Sequence, residues 1–159
     1  MRPFDAHAIA LLRKELKERP ADSIELPLLK RASVMIPLIP VDGGWQLLFS
    51  RRSPELSVHS GQISFPGGGV ARGEEYVDAA LREMEEEVGV PSSLVEVIGR
   101  LDDVVTRSGF IVAPFVGIVA TRPEYVMQPS EVDELFEVPI ETLLADGNPE
   151  VRHVEFKGR

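Results

Sequence analysis

Three glutamates, Glu83, Glu86 and Glu87, lie within one short stretch, EEYVDAALREMEEEVG, where side-chain spacing follows the turns of a helix. At ~100° per residue they fall in an arc of about 100°. Like charges at i, i+3 and i+4 repel, at a few tenths of a kcal/mol per pair. A hard divalent cation would turn that repulsion into attraction, because carboxylate oxygens are its preferred ligands and Mg²⁺ keeps open positions for phosphate oxygens. On these residues alone two readings stand side by side: a solvated acidic face and a metal site. Two neighbours favour the second. Gly67-Gly68-Gly69, just before the helix, lets backbone approach an oxyanion closely. Arg82 borders the carboxylate arc, where it can pair with Glu74, Asp78 or Glu86 and orient the cluster.

The elements that must carry these groups are legible in outline. Val77, Ala80, Leu81, Met84 and Val88 recur at helical spacing, which predicts a helix over Glu74–Val88 with one buried stripe, closed by Gly89 in a left-handed cap. Ala79 sits one turn before the carboxylates, and its small side chain leaves room there. The first 20 residues predict a helix with Ile9, Leu12 and Leu16 on one face and Pro20 beyond its end. Ala32–Val41 and Trp45–Arg52 read as strands joined by a turn at Asp42-Gly43-Gly44, with Pro37 and Pro40 placing the first at an edge or interrupting it. Ser53–Ser60 reads as a polar loop. Gln62–Phe65 reads as a short strand stopped by Pro66 and the three glycines. Leu94–Thr106 and Phe110–Thr121 read as strands around Arg107-Ser108-Gly109. Glu134–Val138, a short helix at Ile140–Ala145 and a last strand at Val151–Phe156 complete the pattern. Few helices among many strands predict an α+β sandwich rather than a regular βαβ array.

Composition narrows the function. The chain has 159 residues, the size of one domain of about 150 residues. With 26 acidic and 17 basic residues its net charge is −9, which argues against a general affinity for nucleic acid or an anionic membrane. The absence of cysteine excludes disulfides, thiolate metal sites and a thiol nucleophile, and only three histidines are present. A metal site here is therefore oxygen-rich, favouring Mg²⁺, Mn²⁺ or Ca²⁺ over Zn²⁺. The longest apolar runs, Ala32–Val41 and Phe110–Ala120, fall short of the ~18 residues a spanning helix needs. The N-terminus shows no export signal, so a cytoplasmic location is expected.

The run Gly68-x5-Glu74-x7-Arg82-Glu83-Met84-x-Glu86-Glu87-x-Gly89-Val90 resembles the Nudix box, G-x5-E-x7-R-E-U-x-E-E-x-G-U, at every defined position. The resemblance covers about Ser33 to Glu137. It implies a Nudix α/β/α sandwich with a mixed sheet and a catalytic loop-helix-loop, spanning 1–159 as a single domain with an N-terminal helix and lead-in over 1–31. Upstream, LFSRRSPELSVHSGQISFPGG is similar to the signature leading into the box in coenzyme A pyrophosphatases. Leu48, Arg52, Ser53, Gly61, Phe65, Pro66, Gly67 and Gly68 match in register. Ser57 stands where that pattern has Arg, and Arg51 is the candidate replacement. LDDVVTRSGFIVAPFVG is also similar to the stretch after the box in that subfamily. A C-terminal helix usual in that subfamily is not found after Val151–Arg159.

The resemblance implies hydrolysis of the pyrophosphate of coenzyme A or a derivative, giving 3′,5′-ADP and 4′-phosphopantetheine or its acyl form. Glu83, Glu86 and Glu87 are the expected ligands of Mg²⁺ or Mn²⁺, with Arg82 paired to Glu74. Glu131, with Glu134 beside it, is a candidate general base; Glu83 is the competing assignment. Arg51, Arg52, Gly67, Gly68, Arg72 and Arg107 are candidate substrate contacts, and His59 is a candidate turn cap. Trp45 and Phe110 are expected to pack rather than stack on adenine. A broader nucleoside-diphosphate hydrolase of the ADP-ribose or NADH type, and a non-catalytic ligand-sensing module, are the alternatives. The expected partner is a small molecule, with neither nucleic acid nor membrane, in a monomer or homodimer.

Overall fold

Two long apolar strands organise the molecule, because each is buried on both faces. In a computed structural model that describes residues 4–56 and 60–147, β1 (Lys30–Val41) and β7 (Phe110–Val119) run parallel side by side. Parallel strands covered on both faces read as continuous apolar runs rather than alternating ones, which suits the segments MIPLIPV and FIVAPFVGIV.

The other strands attach antiparallel. β2 (Gly44–Arg52) returns from β1 through the two-residue turn Asp42-Gly43, where Gly43 has φ +86°. β3 (Ile63–Ser64) pairs with the end of β2, and β8 (Val132–Pro139) takes the opposite edge of β2. β4 (Gly67–Gly69) pairs with the start of β1. β5 (Val95–Arg100) and β6 (Val104–Val105) pair with β7. The described strands form one mixed eight-stranded sheet.

Helix α2 (Tyr76–Val88) covers one face; α1 (Ala6–Glu18) and the short α3 (Ile140–Leu144) cover the other. Ala80, Met84 and Val88 of α2 pack on Met35, Ile39, Leu48, Ala113, Phe115 and Val119. Ile9, Leu12, Leu16 and Ile140 pack on Leu38, Leu47, Val116 and Ile118. The architecture is the expected α+β, α/β/α sandwich.

Four sequence expectations change. Pro37 and Pro40 do not mark an edge, since β1 is a central strand. Pro37 falls in the gap between the stretch paired with β4 and the stretch paired with β2, and Pro40 lies beyond Leu38, the last residue paired with β7. Neither ring therefore removes a ladder hydrogen bond. The three glycines do not merely stop a strand; they are strand β4. Leu94–Thr106 is broken into a 3-10 turn (Ser92–Leu94), β5 and β6. The break at 101–103 lets Asp103 bind the lead-in, through Asp103 N–H to Asp22 C=O at 2.9 Å and its carboxylate to Ile24 N–H at 2.9 Å. The box helix starts at Tyr76 rather than Glu74, with Glu75 as its cap residue. The strand expected at Val151–Phe156, and His59, lie outside the described residues.

Candidate active site

The box helix is held at its C-terminus by Gly89, which adopts φ +73° in the left-handed region. Its carboxylates are sorted by what covers them. β4 lies along the helix flank that carries Ala79, Glu83 and Glu87. Ala79 is fully buried, Glu87 is 5% exposed and Glu83 is half-buried. Glu86 points away from β4, and its side chain is 57% exposed.

The glycines of β4 are required by close approach. A Cβ at Gly67 would lie 2.4 Å from the Ser33 carbonyl oxygen, and one at Gly68 would lie 2.4 Å from the Glu83 carboxyl carbon. Only a residue without a side chain lets the strand pass between β1 and the Glu83 carboxylate. The Gly67 N–H donates to Glu87 Oε2 at 3.1 Å.

Glu131 joins from another element. It ends the connection between β7 and β8, where its C=O accepts from Ser53 N–H at 2.9 Å beside the end of β2. Carboxylate oxygens of Glu83, Glu87 and Glu131 lie within 4.8 Å of one another. Burial pushes the Glu87 carboxyl up to about 7, and nearby Glu83 and Glu131 add to the rise, while the Gly67 N–H and Arg52 oppose it. Glu83 is also raised, first by burial, against the lowering effect of Arg82. Three converging anionic oxygens, two of them strained toward protonation, fit a hard dication and no soft metal.

Arg82 holds the outer side. Its Nε and Nη2 donate to the two oxygens of Glu74 at 2.7 and 3.1 Å, and Nη1 donates to Glu83 at 2.8 Å and Glu86 at 3.3 Å. Nη2 also reaches the Gly69 carbonyl at 3.1 Å. Hydrogen bonding to Arg82, joined by the Ala71 N–H, brings Glu74 down to about 2. Glu74 is thus engaged by Arg82 rather than placed among the converging oxygens.

The other expected contacts divide. Arg51 and Arg52 are successive residues at the end of β2, where side chains alternate between faces, and the two serve different neighbours. Arg52 acts on Glu87 electrostatically, and its Nε is buried with no hydrogen-bond partner among the described residues. Arg51 turns to Asp133 at 3.0 Å and Glu134 at 2.8 Å. That pairing occupies both Arg51 and Glu134 at the surface. Arg72 and Arg107 are exposed in turns. Trp45 packs in the core under α1, and Phe110 lies beneath the Lys30 ammonium, 5.9 Å from its ring centroid.

Two features gave no sequence signal. Asp103, with a fully buried side chain, binds Arg100 at 2.5 Å and Arg31 at 3.5 Å, and both guanidiniums lie over the Tyr76 ring at the start of α2. Tyr125 OH donates to the buried Glu137 at 2.7 Å. Arg100 is only three residues from Asp103, but Arg31 comes from β1 and Glu137 lies twelve residues beyond Tyr125, so the longer-range halves of these groupings have no local spacing to announce them.

Known proteins resemble this chain over most of its length. A family model described as NUDIX domain matches residues 29–156. An uncharacterized Nudix hydrolase NudL of Klebsiella pneumoniae (strain 342) is 41% identical over 121 residues, covering 74% of this chain and 62% of that protein. A Shigella flexneri serotype 5b protein of the same name is 40% identical over 133 residues, covering 82% of this chain and 65% of its own length. The chain therefore spans somewhat under two thirds of the length of these relatives. A Nudix hydrolase structure from M. smegmatis, RenU, superposes with a TM-score of 0.62 at 22% identity, covering 72% of this chain and 73% of that one, a likeness of fold.

Proposed function

Because the chain belongs to the Nudix family, we propose that it is a divalent-metal-dependent pyrophosphohydrolase that cuts the diphosphate of coenzyme A and its derivatives. The products would be 3′,5′-ADP and 4′-phosphopantetheine or its acyl form. The observation that carries the reading is the convergence of Glu83, Glu87 and Glu131 within 4.8 Å beside a backbone strand of glycine.

Glu83, Glu87 and Glu131 would hold Mg²⁺ or Mn²⁺. Glu86, on the solvent side of the same helix and held among the described residues by a 3.3 Å bond to Arg82, is the carboxylate placed to meet an ion from outside. An ion held there would supply positive charge to the diphosphate oxygens and acidity to the attacking water. Water oxygen attacks one phosphorus, the bridging P–O bond breaks, and each product leaves as a phosphate monoester. With one oxygen of its carboxylate toward the ion, Glu131 would use the other to accept the water proton. Arg82 favours the charged form of Glu83 against the effect of burial and fixes its direction. Arg52 places positive charge beside Glu87, where the substrate diphosphate must approach a chain of net charge −9. The coenzyme A assignment is supported by the signature from Leu48 to Gly68, of which Arg52 and the two close-packed glycines are part.

The test is incubation with coenzyme A, ADP-ribose and NADH in Mg²⁺ or Mn²⁺, with chromatographic separation of products. Coenzyme A should yield 3′,5′-ADP, and Glu87→Gln should lower turnover by at least a hundredfold while the protein stays folded. Release of AMP from ADP-ribose or NADH without 3′,5′-ADP from coenzyme A would move the assignment to the broader class. An undiminished rate in Glu87→Gln would remove Glu87 from the ligands.

A further inference from the structure

We infer that Tyr125 and Glu137 form a latch that positions Glu131 against Glu83 and Glu87; the inference rests on the proposed metal site. Glu131 is the one member of the cluster carried by a connection rather than a helix. That connection, from the end of β7 at Val119 to the start of β8 at Val132, is long and has little regular structure. Something must fix its course to within a fraction of an ångström for a ligand to stay in place.

The course is fixed at three places. Downstream, Ser53 N–H binds the Glu131 carbonyl at 2.9 Å, while Glu131 N–H and Val132 N–H both bind the Gln128 carbonyl. In the middle, Val126 N–H donates to the Val88 carbonyl and Gln128 N–H to the Glu87 carbonyl, each at 3.0 Å. These bonds cap the last turn of α2 and tie the connection to the residue that carries the buried carboxylate. The fit is close, since a Cβ at Gly89 would lie 2.7 Å from Val126 Cβ. Upstream, the anchor is Tyr125. Its ring packs on the core beneath α2, and its hydroxyl donates to Glu137 Oε1 at 2.7 Å.

Glu137 is costly where it stands. Its side chain is 7% exposed, Arg122 reaches only the same oxygen at 3.2 Å, and Oε2 is buried with no hydrogen-bond partner among the described residues. A leucine would fill the position without a buried charge. A buried carboxylate with an orphan oxygen weakens the fold, so its use lies in the direction it imposes on Tyr125. The hydrogen bond sets where the connection leaves the core, one residue before the bonds to α2 and six before Glu131.

The test measures Mn²⁺ affinity of the full chain by electron paramagnetic resonance, with folding followed separately by thermal melting. Tyr125→Phe should raise the Mn²⁺ Kd about tenfold, the lower end for groups that orient a ligand. Glu137→Leu should raise it similarly while leaving the melting temperature unchanged or higher, a combination that a merely structural role would not produce. Glu137→Gln, which keeps an acceptor for the phenol, should retain most of the affinity. In a Glu131→Gln background, Tyr125→Phe should cause no further loss, because its effect passes through Glu131. Undiminished affinity in both Tyr125→Phe and Glu137→Leu, or a full further loss in the Glu131→Gln background, would overturn the latch and leave the metal site standing. A wild-type chain that binds no Mn²⁺ would overturn the metal reading and the latch with it.

Discussion

At Gly68 a single hydrogen atom decides where a carboxylate stands. The Glu83 carboxyl carbon lies 2.4 Å from where a Cβ on Gly68 would stand, too close for both. Glu83 is also held by Arg82 at 2.8 Å, so an added methyl must displace either the strand or the carboxylate. The strand is paired with β1 and abuts Ser33 and Val34, which leaves the carboxylate to move. Gly68→Ala should therefore weaken Mn²⁺ binding by at least tenfold while the far-ultraviolet circular dichroism remains that of the wild type. Affinity equal to wild type would show that the contact is not needed to place Glu83. Glu87 is set differently, by burial and by the Gly67 N–H. Its neighbour Glu86 shares the helix and the residue type, yet stands in solvent because β4 covers only the other flank.

Between elements, two aspartates tie the lead-in after α1 to the loop that splits β5 from β6. Asp102 accepts from Asp22 N–H at 2.9 Å and pairs with Arg19, with 42% of its side chain exposed. Asp103 accepts from Ile24 N–H and pairs with Arg100 and Arg31, with its side chain fully buried. The same residue type at adjacent positions should then differ in worth. Removing one partner of a buried ion pair costs about 3–5 kcal/mol, whereas an exposed pair contributes about 0–1 kcal/mol. Denaturant unfolding of Asp103→Ala should show the larger loss, made worse by Arg100, whose Nε already lacks a partner among the described residues. Asp102→Ala should lose under about 1 kcal/mol. Equal losses would contradict the role given to burial.

Over the whole molecule, buried carboxylates make stability depend on pH in an unusual direction. Glu87 ionises near 4.5 when unfolded and near 7 when folded. Between those values the folded chain keeps a proton that the unfolded chain has lost, so this stability is present below 4.5 and gone above 7. The span corresponds to at most about 3 kcal/mol, and Glu83, also raised, acts in the same direction. Glu74, lowered to about 2, has the opposite sign: its contribution is present above 4.5 and lost as pH falls toward 2. In a chelator the protein should therefore melt at a higher temperature at pH 5 than at pH 8, and Mg²⁺ or Mn²⁺ should reverse that order. A melting temperature that rises from pH 5 to pH 8 in the chelator would mean that Glu87 ionises without penalty. The local pattern was sufficient for much of this protein. Helical spacing in the acidic segment, the Gly89 stop, the run of glycines and the apolar runs of β1 and β7 each act within a few residues, where backbone geometry and burial leave a mark in the order of side chains. Pairings between distant segments leave none. The central position of β1 despite its prolines, the glycines as strand β4, the sorting of Glu86 from Glu87, and the meeting of Glu131 with a helix some forty residues earlier depend on which surfaces press together, and that follows only when the sheet has closed on α2.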